Sequence, residues 1–279
     1  MINIQSISNG LKLGEDGIWY SVEAEDISYP EDGNESCFSV EDNSFWFKHR
    51  NNCISSVVKS FPPENNGAIF DIGGGNGFVS LNLAREGFDT VLVEPGIVGA
   101  IHAKERGVEN VICATTDTAK FIQNSFPAVG LFDVIEHIDD DLSFLISIRK
   151  LMDVNARMYL TVPSYKFLWS KEDLTAGHFR RYSLDSISTL LKSAGFEVEF
   201  SSYIFRFLPL PIFLFRALPY RLGYVSVEKK DNIISRDHGV KGGAIINIID
   251  RLLKAEIRKL DCKKSMSFGG SCLVVARKL

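Results

Sequence analysis

The chain has 279 residues, 45% apolar and 24% charged, with a formal net charge of −4 and a pI of about 5.8. These values exclude a disordered chain. They suit one large α/β domain with additions, or an ordinary domain with a small companion. A mildly acidic protein also has no global electrostatic reason to hold DNA or RNA, so no nucleic acid is expected as partner. Cys37, Cys53, Cys113, Cys262 and Cys272 form no CxxC pair and no even framework, which argues against a zinc ribbon and for a reducing compartment. The first residues contain no basic region followed by a long apolar run, so the expected location is cytoplasmic.

Residues 1–43 are polar and broken by Gly10, Gly14, Gly17, Pro30 and Gly33. They read as a small N-terminal appendage, with short strands expected at 18–22 and at Phe38-Ser39-Val40. Apolar positions three and four apart predict a helix over 44–60, with Asn43 or Ser44 as its cap and Pro62-Pro63 as its stop. From residue 67 strand and helix alternate. Strands are expected at 68–72, 90–94, 111–114, 129–133, 157–163 and 196–200. Helices are expected at 76–86, 97–105, 141–152 and 184–194, with a helix or loop at 118–125. This rhythm predicts an α/β fold, a mostly parallel sheet with helices on both faces. A last strand is expected at 271–276.

Two segments interrupt the rhythm. Residues 204–222 are the most apolar stretch, but Pro209, Pro211, Pro219, Arg206, Arg216 and Arg221 rule out a bilayer span. Broken amphipathic helices are predicted instead, walling an acceptor site or a homodimer interface, with affinity for a lipid surface. Residues 243–260 carry a helical apolar face with basic residues opposite. The domain reading is therefore an appendage at 1–43, a main domain at 44–203 and 262–279, and an insertion at 204–261.

The chemistry begins at Ala68-Ile69-Phe70-Asp71-Ile72-Gly73-Gly74-Gly75-Asn76-Gly77, where a strand runs into a glycine turn. Gly73, Gly75 and Gly77 do not make the G-x-G-x-x-G of a dinucleotide site. Phe78 stands where a small residue should admit a pyrophosphate, and Asp71 would repel one. A cofactor with a nucleoside and a cationic centre fits better, with Glu94 at the end of the next strand placed to accept both ribose hydroxyls or, alternatively, to cap the following helix.

This segment resembles the class I S-adenosylmethionine-dependent methyltransferases. Asp71-x-Gly73-x-Gly75-x-Gly77 is similar to their first motif, and Glu94 to their ribose-binding acid. Leu131-Phe132-Asp133-Val134-Ile135-Glu136-His137-Ile138 resembles the fourth-strand signature of the branch containing quinone-biosynthesis O-methyltransferases. So does Gly177-His178-Phe179-Arg180-Arg181-Tyr182-Ser183, followed by a helix and Ala194-Gly195-Phe196. The resemblance implies a seven-stranded Rossmann-like sheet whose last strand is antiparallel and inserted beside the fifth. It implies S-adenosylmethionine as cofactor, with Thr116 or Asp117 at the adenine, Asp133 beside the methionine portion, and Arg50 or His49 at its carboxylate. Thr116 and Asp117 also read as helix N-caps.

His137 has two readings, a general base near the acceptor or a loop-holding hydrogen-bond partner. The loop with His178, Arg180, Arg181 and Tyr182 offers a base, two cations and a phenol. It suits an anionic acceptor unless the arginines pair with neighbouring acids. His178, His137 and Tyr182 are the catalytic candidates. Methyl transfer from a sulfonium needs no metal, and Asp139-Asp140-Asp141 lacks calcium-loop spacing. The expected activity is methylation, at oxygen, of a lipophilic small molecule, by a cytoplasmic or peripherally membrane-bound protein. A nicotinamide-dependent oxidoreductase and a non-catalytic cofactor-binding protein are the alternatives.

Overall fold

The computed structural model describes residues 2–23, 35, 38–224 and 243–279. Cys37 lies outside them.

Elements follow the predicted order. β1 (Leu11–Leu13) and β2 (Trp19–Ser21) form a hairpin, and α1 (Phe45–Ser60) follows. Ser44 caps α1, its hydroxyl accepting the amides of Trp46 and Phe47 at 3.2 and 3.4 Å. Then come β3 (Ile69–Ile72), α2 (Phe78–Arg85), β4 (Thr90–Val93), α3 (Ile97–Arg106), β5 (Asn110–Cys113) and β6 (Phe126–Phe132). They are followed by α4 (Asp141–Leu151), β7 (Met152–Pro163), α5 (Lys171–Ala176), α6 (Leu184–Ser193), β8 (Phe196–Ile204), α7 (Gly243–Asp261) and β9 (Ser271–Lys278). Residues 118–125 form turns rather than a helix.

Among the described residues the sheet has nine strands in the order β1-β2-β5-β4-β3-β6-β7-β9-β8. The expected last strand is present: β9 lies between β7 and β8 and is antiparallel to both. The seven-stranded, mostly parallel reading needs correction, because the appendage extends the sheet. β2 runs parallel to β5 and β1 antiparallel to β2. The hairpin covers an edge that would otherwise expose unpaired backbone groups. Ile18 anchors it, buried among Ala100, Ala103, Val108 and Val111. Phe38-Ser39-Val40 is helical, not extended. Three residues carry too little periodicity to separate the two, and the tertiary contacts decide: the Phe38 ring stacks on His102 at 4.1 Å and lies under the Arg106 guanidinium at 4.8 Å.

Strand alternation splits the core. Ile69 faces Ile54, Val57, Val79, Leu83 and Leu260, from α1, α2 and α7. Phe70 and Ile72 face the opposite layer with Leu145, Ile148, Ile187 and Leu191, from α4 and α6.

Residues 209–221 form one helical run instead of separated helices. Its pieces are Pro209–Ile212, a π-helical turn Phe213–Ala217, and Leu218–Arg221. Pro209 and Pro211 sit in the first turn of the run, where no amide donor is missed, and the widened π-helical turn before Pro219 accommodates its ring and missing amide. This run packs on the 3-10 turn Lys166–Leu168 and on α5. α7 packs on α1 instead, with the Ser56 hydroxyl donating to Asp261 at 2.7 Å.

Candidate functional site

The site lies where the parallel strands end in a glycine turn. Gly73 and Gly75 hold positive φ, at +69° and +53°. Gly74 has no such φ, but a Cβ there would stand 2.6 Å from Leu92 and 2.8 Å from the Asp71 carboxylate. The turn therefore packs against its own strand ends, leaving backbone facing a cavity of about 360 Å³.

Asp71 and Glu94 lie in this cavity with Gly73, Gly75, Arg50, Asp133, His137 and His178. The Glu94 carboxylate accepts the Gly75 amide through Oε2 and the Gly96 amide through Oε1, each at 2.8 Å. Of the two sequence readings of Glu94, the structure shows the cap: it holds the entry to α3, and its carboxylate stands at the cavity wall. Asp71 is buried, and its Oδ2 accepts the Ser80 hydroxyl at 2.7 Å. Its Oδ1 has no partner among the described residues. Burial pushes the Asp71 carboxyl up to about 6, against the Ser80 hydrogen bond and the Arg50 charge.

Arg50 comes from α1, with Trp46 and Phe47 packing on its guanidinium at 4.9 and 5.4 Å. It pairs with Asp133. Asp133 follows β6 in the left-handed region, φ +59°, a strained conformation for a non-glycine residue. Arg50 keeps a buried Nε without a partner among the described residues.

Beyond Asp133 the 3-10 turn Ile135–His137 brings His137 to within 4.8 Å of the His178 ring, edge to face. Burial and the neighbouring His178 hold the His137 imidazole down at about 4, so it is neutral at physiological pH. His178 Nδ1 lies 2.8 Å from Asp173 Oδ1, and Arg181 Nε donates to the same oxygen at 2.7 Å. Burial opposes ionisation of Asp173, but His178, Arg181 and the Ser170 amide together bring its carboxyl down to about 2.

Several predicted residues stand elsewhere. Gly77 has φ +75° and caps α2 behind the turn. A Cβ there would meet Val108 and Ala103, so it serves helix packing. Thr116 and Asp117 lie in the turn after β5, outside the cavity lining. Tyr182 is not brought to the cavity. Its hydroxyl lies 2.8 Å from Asp141 and 3.4 Å from the Ile135 carbonyl, bracing the 3-10 turn. His49 faces away from the site and meets Glu256 at 3.0 Å. Arg180 pairs with Asp141 and Asp139, and Arg181 with Asp173, so these cations are spent on acids and do not mark an anionic acceptor.

Sequence reasoning missed Glu41 and Asn76, which line the cavity, whereas Glu136, expected with Asp133 and His137 at the crevice after the fourth strand, is buried and outside the lining. Glu41 lines the cavity and pairs with Arg106 at 2.8 Å, both side chains 7% exposed. Its burial follows from the helical turn at 38–41, which no local pattern announced.

The orphaned Asp71 and Arg50 atoms, the glycine cradle and the Glu94 carboxylate fit a nucleoside cofactor bearing an amino acid portion. A methyltransferase-domain family matches residues 46–200. The chain belongs to that family. It is a class I S-adenosylmethionine-dependent methyltransferase, and S-adenosylmethionine is its cofactor. No particular branch, quinone-biosynthetic or other, is distinguished.

No curated protein matches the methyltransferase sequence. Solved structures match its fold. One is a Thermotoga maritima S-adenosylmethionine-dependent methyltransferase described as a possible histamine N-methyltransferase. It has a TM-score of 0.53 and 18% identity, over 88% of this chain and 94% of that one. Another is phosphoethanolamine N-methyltransferase 2 of Haemonchus contortus, with a TM-score of 0.53 and 18% identity, over 89% and 57%. A third is the [4+2]-cyclase SpnF, with a TM-score of 0.52 and 16% identity, over 82% and 80%. At these identities the likeness is one of fold, which does not choose a substrate.

Proposed function

We propose that this methyltransferase moves a methyl group to a hydroxyl oxygen of a lipophilic small molecule. The observation that carries the reading is the Asp173–His178 pair at the cavity wall. With Nδ1 held by Asp173, His178 has Nε2 as the ring nitrogen left for an acceptor, close to His137, whose imidazole is neutral. An acceptor O–H there has a partner for its proton, which an amine acceptor already in its free-base form would not need.

When bound, S-adenosylmethionine supplies an electrophilic methyl on a good neutral leaving group. The chain's own residues would do the rest. Glu94 would take the ribose hydroxyls. Arg50 would meet the amino acid carboxylate by sharing its pairing with Asp133, and Asp71 would set the field near the ammonium group. Gly73 and Gly75 would let backbone approach the ligand. Thr116 and Asp117 lie near enough in sequence to β5 to meet the adenine only if their turn closes on it. Trp46 and Phe47 would exclude water from the reacting centre.

The lipophilic character is supported by the exposed apolar residues of the 209–221 run, Leu210, Leu214 and Phe215, the last 79% exposed. They suit contact with a lipid surface, with Arg216 and Arg221 beside them. No described helix is long and apolar enough to cross a membrane. We retain a cytoplasmic, peripherally associated protein as the working location, and residues 204–261 as the insertion that meets lipid or a second subunit.

Incubating the protein with methyl-labelled S-adenosylmethionine and fractionated cell extract tests the reading. Label should appear in an organic-soluble methyl ether. Label confined to amines, to protein or to nucleic acid would overturn it.

A further inference from the structure

Of the acids in the cofactor cavity, Glu41 comes from the N-terminal appendage. It lies before residue 46, where the methyltransferase-domain match begins, so the matched domain does not supply it. Glu41 is 6% exposed and lines the cavity together with Gly75, Asn76 and Glu94. A carboxylate so enclosed has given up water and needs other donors in its place.

The position of Glu41 is built from α3. The helical turn at 38–41 lays the Phe38 ring on His102, and the Arg106 guanidinium stands over Phe38 and over Phe78, at 4.8 and 5.0 Å. Arg106 Nη2 then donates to Glu41 Oε2 at 2.8 Å, which fixes the carboxylate. Burial pushes the Glu41 carboxyl up, and the Arg106 charge opposes that rise.

The second oxygen is placed differently. Among the described residues Oε1 meets only the Asn76 side-chain amide, at 3.4 Å. That contact is long for an N–H···O bond, so Oε1 keeps most of its capacity to accept. The Asn76 oxygen lies 3.1 Å from His102 Nδ1, which sets the direction of the amide group and keeps its nitrogen toward Glu41.

Glu94 stands in contrast. Both of its oxygens already accept backbone amides, from Gly75 and Gly96, each at 2.8 Å. A ribose brings two hydroxyls, each with one hydrogen to donate. At the glycine turn they meet two acids, Glu94 on the Gly75 amide and Glu41 on the side chain of the next residue, Asn76. The second acid has the less occupied oxygen.

We propose that Glu41 is a second ribose-binding acid, its Oε1 accepting one hydroxyl of the cofactor while Glu94 accepts the other. The proposal rests on the cofactor reading given above and refines it. The appendage then does more than cover a sheet edge, since it completes the wall that reads the nucleoside.

The test titrates the full chain calorimetrically with S-adenosylhomocysteine and with its 2′-deoxy and 3′-deoxy forms. Glu41→Gln keeps the shape of the side chain and removes its charge. It should weaken S-adenosylhomocysteine binding about 10-fold, as for loss of a hydrogen bond to a charged acceptor. One deoxy form should be weakened equally. The other, which lacks the hydroxyl that Glu41 holds, should bind parent and variant within about twofold. Circular dichroism should show the variant folded. If it does not fold, Glu41→Ala combined with Arg106→Ala takes its place, because it removes both members of the buried pair. Equal weakening of all three ligands overturns the proposal, since a residue that merely walls the cavity acts on them alike. Unchanged binding of all three overturns it as well. S-adenosylhomocysteine binding by the parent distinguishes the two readings. If the parent binds it and no hydroxyl selectivity appears, the second acid alone fails; if the parent does not bind it, the cofactor reading falls too.

Discussion

Asp173 Oδ1 lies 2.8 Å from His178 Nδ1, five residues away, across the Gly177 turn that ends α5. The two are joined again through the backbone, the His178 amide donating to the Asp173 carbonyl at 2.9 Å. Imidazole and carboxylate are thus locked in one arrangement by two bonds. Asp173→Asn keeps the shape but lets the ring choose the other tautomer. Turnover should fall about 10–100-fold, with cofactor affinity within twofold of the parent. Steady-state kinetics with product detection, alongside calorimetry with S-adenosylhomocysteine, checks this. Equal losses in both would show that Asp173 merely supports the fold.

Asp71 gives a pH prediction. Its folded carboxyl is pushed up to about 6, above the ordinary aspartate value, so the folded state binds the proton more tightly than the unfolded one. Stability from this group is present below pH 4 and is lost as pH rises through about 6. Asp71→Asn should remove that loss, making the cofactor-free protein more stable at pH 8 by on the order of 2–3 kcal/mol. It should also weaken S-adenosylmethionine binding. Thermal melts at pH 4.5 and pH 8 give the comparison. A variant less stable than its parent at pH 8 would mean that the carboxylate is stabilised by something other than these neighbours.

Glu94→Ala should cost about 1.5–3 kcal/mol of cofactor binding, as for hydrogen bonds to a charged group. That corresponds to roughly 10–150-fold in Kd. Because the Gly75 and Gly96 amides also lose their acceptor, the glycine turn should exchange amide hydrogens faster even without cofactor. Unchanged affinity in a folded variant would place the ribose elsewhere.

The 209–221 run gives a membrane prediction. Phe213 is occupied within the protein, near Phe167 and Arg221, whereas Leu214 and Phe215 are exposed. Leu214→Ser with Phe215→Ser should therefore abolish flotation with anionic liposomes and leave the melting temperature within a few degrees. No flotation of the parent protein would remove the lipid contact.

The glycine turn, Asp71 and Glu94 were legible because each is local. Strand, turn and acid lie within a few residues, and backbone chemistry dictates their types. The helix over 44–60 was legible through its cap and its period. What escaped notice depends on residues brought together from far apart. Glu41 meets Arg106 across 65 positions, and the β1–β2 hairpin gains its place from an open sheet edge. Asp173 carries no motif, yet it orients His178. The three prolines were read as helix breakers because the first-turn place of Pro209 and Pro211 and the π-helical turn before Pro219 are visible only once the run is placed.

His49 and Arg50 are adjacent on α1 but serve opposite sides of it. Arg50 reaches the cofactor cavity, while His49 meets Glu256, whose carboxylate also holds the Phe205 and Arg206 amides. The helix that walls the cavity is therefore bolted to the body of the protein from behind. The wall bearing His137 and His178 is tied as well, by the Phe179 amide to the Glu136 carbonyl and by the Tyr182 hydroxyl to the Ile135 carbonyl. Both walls are thus fixed by bonds that no ligand has to make, so the shape of the cavity is set by the chain itself.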